Sequence, residues 1–279
     1  MLRQILFGSL VATLVSIPPA AVAETSAQTV ETLMHKSGIW QQLADVAPQV
    51  VASMRGSIEK EGSRVTPSEA DRVIARAQAA YAVDRLRATV SDHLKRELDP
   101  AQVDRLLAWY DGRIGIAITK AEEAGSADVR DPDERVRDDA KLFARLPAAR
   151  RDLLQKLVEA SHGAEVAVTV SIRTAVAARR AVEQARPDAP GVPSNEIEAA
   201  LERQRPRLES MYGAVIAASG ARIYSGVPDE SLGKYIDFLT SPAGSHFTVV
   251  GSRALEAALV AAAEEFTRSL PSTRDQSNT

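Results

Sequence analysis

Four times in this chain a short polar residue stands directly before a proline: Thr66-Pro67, Asp99-Pro100, Asp131-Pro132 and Ser241-Pro242. Each pair fits the start of an α-helix. The side-chain oxygen accepts a backbone N–H that the first turn leaves orphaned, and proline has no N–H to lose. Glu134 also stands where a capping-box partner of Asp131 belongs. Between the starts, apolar residues recur at steps of three and four. Val83, Leu86, Val90 and Leu94 form one stripe, in a helix expected to run from Thr66 to about Leu98. Val103, Leu106, Leu107 and Tyr110 form the next. Phe247, Val250, Ala254, Ala258, Ala262 and Phe266 hold one face for about five turns. Pro147 and Pro228 open two more helices. Ser194 is expected to cap a long helix from Asn195 that Pro206 kinks or interrupts.

No stretch alternates apolar and polar residues for long enough to make a strand. Val166–Ile172 comes nearest, but Ala- and Arg-rich helical sequence flanks it, and it reads as helix. Aromatics are only 4% of a chain that is 45% hydrophobic. Small apolar side chains suit closely packed helices better than a β-sandwich. The expected fold is therefore all-α, an antiparallel helical bundle.

The N-terminus predicts export. Arg3 gives a positive start, Ile5–Ile17 an apolar stretch of leader length, and Pro18-Pro19 a break. Ala21-Val22-Ala23 then supplies a small-x-small cleavage pattern. Residues 1–23 read as a signal peptide, and the expected location is periplasmic or secreted. The chain has no cysteine, which excludes disulfides, thiolate metal sites, thiol catalysis and a lipidated cysteine. No later segment approaches the roughly 20 apolar residues of a transmembrane helix, so no anchor is expected once the leader is cut. Losing Arg3 with the leader would take the net charge from −3 to −4. That balance argues against a nucleic-acid partner.

A shift of 129 residues lays Leu98–Gly115 on Val227–Gly244. Val103 then falls on Leu232, Leu107 on Ile236, Trp109 on Phe238, Gly115 on Gly244 and Thr119 on Thr248. Each segment follows a long capped stretch, opened at Thr66 and Ser194. Each of those follows a Leu-x-x-x-Ser-(x)-Gly element, Leu33–Gly38 and, with one extra residue, Leu157–Gly163. Agreement in the order of three elements suggests two similar three-element halves. Residues 24–124 form the first repeat, 125–146 a helical linker and 147–270 the second repeat. The polar tail at 271–279 is expected to be disordered.

The run Phe238-Leu239-Thr240-Ser241-Pro242-Ala243-Gly244, followed by an Ala-rich amphipathic helix, resembles the aromatic-x-x-Ser-Pro-x-Gly signature of the DUF2059 domain. The resemblance covers mainly residues 195–268. Trp109–Gly115 resembles a degenerate copy that lacks Ser-Pro. The resemblance implies an exported helical protein and carries over no catalytic residue. Read physically, the motif is a corner between two helices. Ser241 caps, Pro242 fits the first turn, and Gly244 makes room for a neighbouring backbone. Trp109, Gly115, Phe238, Ser241, Pro242 and Gly244 are therefore expected to be structural.

Candidates for chemistry are few. His93/Glu97 and His162/Glu165 have metal-ligand spacing, but neither pair has an obvious third ligand. No nucleophile elbow or phosphate-binding glycine loop is present. Glu122-Glu123 and Glu264-Glu265 read as solvated helix faces. Arg173 with Arg179-Arg180 could attract an anion, partly neutralised by Glu183. No catalytic residue, metal or cofactor is expected. The leading functional expectation is a non-enzymatic interaction or scaffold module of the cell envelope, with envelope proteins as partners. The alternative is a carrier that binds an apolar or lipid-like ligand between helices. An enzyme is the third reading.

Overall fold

The computed structural model describes residues 26–61, 66–126, 130–185 and 191–270, and every regular element among them is a helix. The expected leader and C-terminal tail lie outside the described residues. Helices α1 (Ala27–Lys36), α2 (Ile39–Glu61), α3 (Pro67–Ala80), α4 (Val83–Glu97), α5 (Pro100–Tyr110) and α6 (Arg113–Ser126) form a first series. After α7 (Pro132–Arg145) come α8 (Ala148–Ala160), α9 (Gly163–Ala185), α10 (Ser194–Arg203), α11 (Arg205–Ile223), α12 (Asp229–Thr240) and α13 (Pro242–Ser269). No described helix is long and apolar enough to cross a membrane.

The polar-proline pairs cap as their chemistry dictates. Thr66 Oγ1 accepts from Glu69 N at 3.3 Å, and Thr66 N donates to Glu69 Oε2 at 2.9 Å. Asp99 and Gln102 make the same reciprocal box. Asp131 accepts from Glu134 N at 2.9 Å, and Ser241 Oγ from Gly244 N at 3.2 Å. The β-like Val166–Ile172 run is helical within α9.

Three expectations need correction. The helix expected from Thr66 to Leu98 is two helices, α3 and α4, with a break at Tyr81-Ala82. No proline or glycine marks that break. Ala82 is extended, with φ −56° and ψ 127°, and Ala80 and Tyr81 are both buried in the core. Tertiary packing turns the chain where local propensity would have continued it. Ser194 does not accept at the α10 terminus, where Pro193 holds the cap position. Its N–H and hydroxyl both donate to the Glu183 carboxylate of α9, at 2.6 and 2.8 Å. Finally, the residue that matches Gly38 is His162 rather than Gly163. Gly38 (φ 78°) follows the α1 cap Ser37, and His162 (φ 51°) follows the α8 cap Ser161. Both occupy the left-handed region, which glycine enters freely and histidine rarely.

The two series run in parallel beyond that turn. α2 and α9 are each 23 residues long. α1 packs on α4 and α5, and α8 packs on α11 and α12. α2 lies against α3 and α4, and α9 against α10 and α11. The last helix of each series crosses over: α13 packs on α4 and α5, while α6 packs on α11 and α12. Where the series meet, Trp109 and Phe238 stack with centroids 4.4 Å apart and planes 7° apart. These residues occupy matching places in α5 and α12.

One hydrophobic core joins the series, with Leu33, Leu86, Leu94 and Leu106 from the first and Leu154, Leu232, Phe247 and Ala254 from the second. A smaller cluster of Val168, Ile172 and Val176 on α9 takes Leu201, Leu208 and Tyr212. α7 is tied to α11 by Arg222 Nε, which donates to Asp139 Oδ1 at 2.9 Å, with Asp139 almost wholly buried.

Candidate ligand-binding site

Inside the wall where the two series meet is a cavity of about 320 Å3. α2 contributes Ile39, Leu43 and Val46, α4 Val90, α12 Leu239, and α13 Phe247, Leu255 and Leu259. Tyr110 and Tyr235 add aromatic surface. Gly251 opens one side: a Cβ there would meet nothing within 4 Å.

Glu122 of α6 is the one charged residue in the lining. It is partly buried, with its carboxyl turned inward. Tyr224 Oη donates to its Oε1 at 2.7 Å and Tyr235 Oη donates to the same oxygen at 3.0 Å. Oε2 has no partner among the described residues. Burial pushes the Glu122 carboxyl above the ordinary carboxylate range. The two tyrosine bonds oppose that, and the charge of Glu123 adds to it. Burial, then the Glu122 charge, raises Tyr224 and Tyr235 well above the usual phenol value. The tyrosines stay protonated and act only as donors to the carboxyl.

The solvated face expected for Glu122-Glu123 is thus corrected at Glu122. A signal was present. Ile114, Ile118 and Glu122 follow one another at steps of four, and Ile118 is 1% exposed, so the carboxylate continues an apolar stripe into the interior. The partners Tyr224 and Tyr235 lie about a hundred residues further on, and no local pattern links them to it.

None of the six corner residues lines this cavity. Trp109 and Phe238 form the stack described above. At Gly244 a Cβ would overlap the Phe238 carbonyl oxygen, and at Gly115 the Trp109 carbonyl oxygen. Ser241 Oγ donates to Phe238 O at 2.6 Å while accepting from Gly244, and Pro242 is the first residue of α13.

A second cavity, of about 360 Å3, shares Thr248 and Ser252 with the first and carries His162, Glu165, Arg253 and Glu256. His162 Nδ1 lies 3.4 Å from Glu165 Oε2. His93 is held by Arg96 at 3.0 Å instead of by Glu97. No group of three or more potential metal ligands occurs among the described residues. The arginines of α9 are matched by carboxylates: Arg179 with Glu183 at 3.3 Å, Arg180 with Glu198 at 3.2 Å, and Arg173 with Glu256 at 3.6 Å. That pairing leaves little positive potential for an anion. Glu265 pairs with Arg268 at 3.2 Å on the surface.

No protein-family model, curated protein or solved structure matches this chain.

Proposed function

We propose that this chain is an exported ligand-binding protein that holds a small, mostly apolar molecule between its helices. The cavity beside Glu122 carries this reading. Its volume falls at the low end of small-molecule sites, and its lining is mainly apolar with a few convergent polar groups. The scaffold reading draws less support. The large apolar side chains left exposed are distributed over α6 (Ile116), α7 (Val136, Leu142), α11 (Met211), α13 (Val249) and the segment before α10 (Val192). Single exposed hydrophobics are ordinary on a protein surface. Export rests on the leader pattern at residues 1–23.

On the same reading the two helix series are copies of one unit joined by α7, and the cavity lies where they meet. Position 122 of the first copy corresponds to position 251 of the second under the 129-residue shift. One holds a carboxylate and the other an open glycine, so the site is single although the frame is double.

The test is gentle purification from the native envelope, followed by extraction and mass spectrometry of bound small molecules. Wild-type protein is expected to release an apolar species. Gly251→Met, which fills the cavity, is expected to release none. A wild-type protein that carries nothing, or a variant that carries the same species, counts against the reading.

A further inference from the structure

The polar groups that line the cavity have an unusual balance. Ser37 Oγ donates to Met34 O, Ser161 Oγ to Val158 O, Thr248 Oγ1 to Gly244 O and Ser252 Oγ to Thr248 O. Each of these hydroxyls spends its proton on a carbonyl of its own helix and turns only lone pairs toward the cavity. The Tyr235 proton is committed to Glu122 Oε1. Gln42 and Tyr110 alone keep donor capacity in the lining. No Lys, Arg or His is among the lining residues, and both tyrosine bonds fall on Glu122 Oε1, so that Oε2 has no hydrogen-bond partner among the described residues. The cavity therefore offers hydroxyl acceptors in excess of donors, and its one carboxyl group has no basic residue beside it in the lining. Tyr110, Tyr235 and Phe247 add aromatic rings, whose faces attract cations.

From this balance we propose that the ligand is a small amphiphilic amine, with its ammonium head on Glu122 and its hydrocarbon tail against Leu43, Val46, Leu255 and Leu259. This rests on the ligand-binding reading above and names the ligand class for that site. An ammonium brings three donors and no acceptor, which complements the lining. A carboxylate head would meet a like charge and find few donors. A hydroxyl head would satisfy Oε2 without neutralising it. An eight-carbon chain with one head atom is a small ligand, in keeping with a cavity of about 320 Å3 at the low end of small-molecule sites.

The experiment is calorimetric titration of the full chain with octylammonium, 1-octanol and octanoate at neutral pH and moderate salt. Octylammonium is expected to bind at least about tenfold more tightly than octanol, and octanoate most weakly. Glu122→Gln is expected to weaken octylammonium far more than octanol, so that the preference for the amine is lost. Gly251→Met should abolish binding of all three, which separates the cavity from amine attraction to the acidic surface. Octanol or octanoate binding as tightly as octylammonium to the wild type would overturn the amine assignment and leave the ligand site standing. Octylammonium binding that survives Gly251→Met would overturn it too, by placing the amine elsewhere. Failure of all three probes to bind the wild type would overturn the ligand site itself. The wild-type comparison needs no variant, so an unstable Glu122→Gln leaves the amine assignment exposed to test.

Discussion

Three residues set opposite rules for the same kind of substitution. At Gly244 the carbonyl oxygen and carbon of Phe238 and the Cα of Leu239 occupy the space a Cβ would need. These are backbone atoms and cannot swing aside. Gly244→Ala is expected to destabilise by roughly 1–3 kcal/mol, with the overlap outweighing the helix-propensity gain, and Gly244→Leu by more. Gly115→Ala should act in the same direction, because Trp109 O and Tyr110 Cα crowd it. Gly251 sits mid-helix beside open space, so Gly251→Ala should stabilise by up to about 1 kcal/mol. Chemical denaturation of the three alanine variants checks all of these, and a neutral Gly244→Ala would refute the close-packing account of the corner. Glu122 obeys a different rule. Its folded-state pKa lies above its unfolded value, so the folded protein binds the extra proton. Its contribution is fully present below the unfolded pKa and is lost as pH rises through the folded one. Tyr110 on α5, Tyr224 at the C-terminal cap of α11, Tyr235 on α12 and the neighbouring Glu123 are the titratable groups facing it. The stability difference between Glu122→Gln and the wild type should therefore grow in the variant's favour as pH rises above the ordinary carboxylate range. A pH-independent difference would remove the desolvated-carboxyl description.

At the scale of elements, what was legible in the sequence was what short-range physics decides. Caps at Thr66, Asp99, Asp131 and Ser241 are local, because the accepting oxygen and the donated N–H lie within three residues. The Tyr81-Ala82 break was illegible because no local residue forces it and burial of Ala80 and Tyr81 does. Ser194 read as a cap because its partner Glu183 lies eleven residues back, on α9. The site was hidden in the same way: Glu122 lay in view on an apolar stripe, but Tyr224 and Tyr235 come from elements far along the chain. α7 illustrates long-range attachment as well. Arg222 of α11 reaches the almost fully buried Asp139, whose Oδ2 has no hydrogen-bond partner among the described residues. Arg222→Ala would leave that carboxylate buried without its cation and is expected to cost about 3–5 kcal/mol. Asp139→Ala should cost less, since Arg222 keeps some access to solvent. Urea titration of the two variants checks the order, and equal losses would mean that the pair is not what holds α7.

At the scale of the whole molecule, the series depend on each other. α13 covers α4 and α5 of the first, α6 covers α11 and α12 of the second, and Trp109 stacks on Phe238 between them. Each series alone would expose the core surface that the other buries. Residues 24–126 and 130–279 produced separately are expected to give little helical signal and no cooperative thermal transition. Mixed, they should regain both, and independent cooperative unfolding of either piece would contradict the interlocked arrangement. The cavity with Glu122 in its wall exists only in the joined form, since its lining comes from both series. A crystal structure of the protein isolated from its native source, without added amphiphile, tests the central claim most directly. The account predicts elongated density bounded by Leu43, Val46, Leu255 and Leu259, ending against Glu122 Oε2. A cavity holding only water, or closed by inward movement of α13 onto α2, would contradict it.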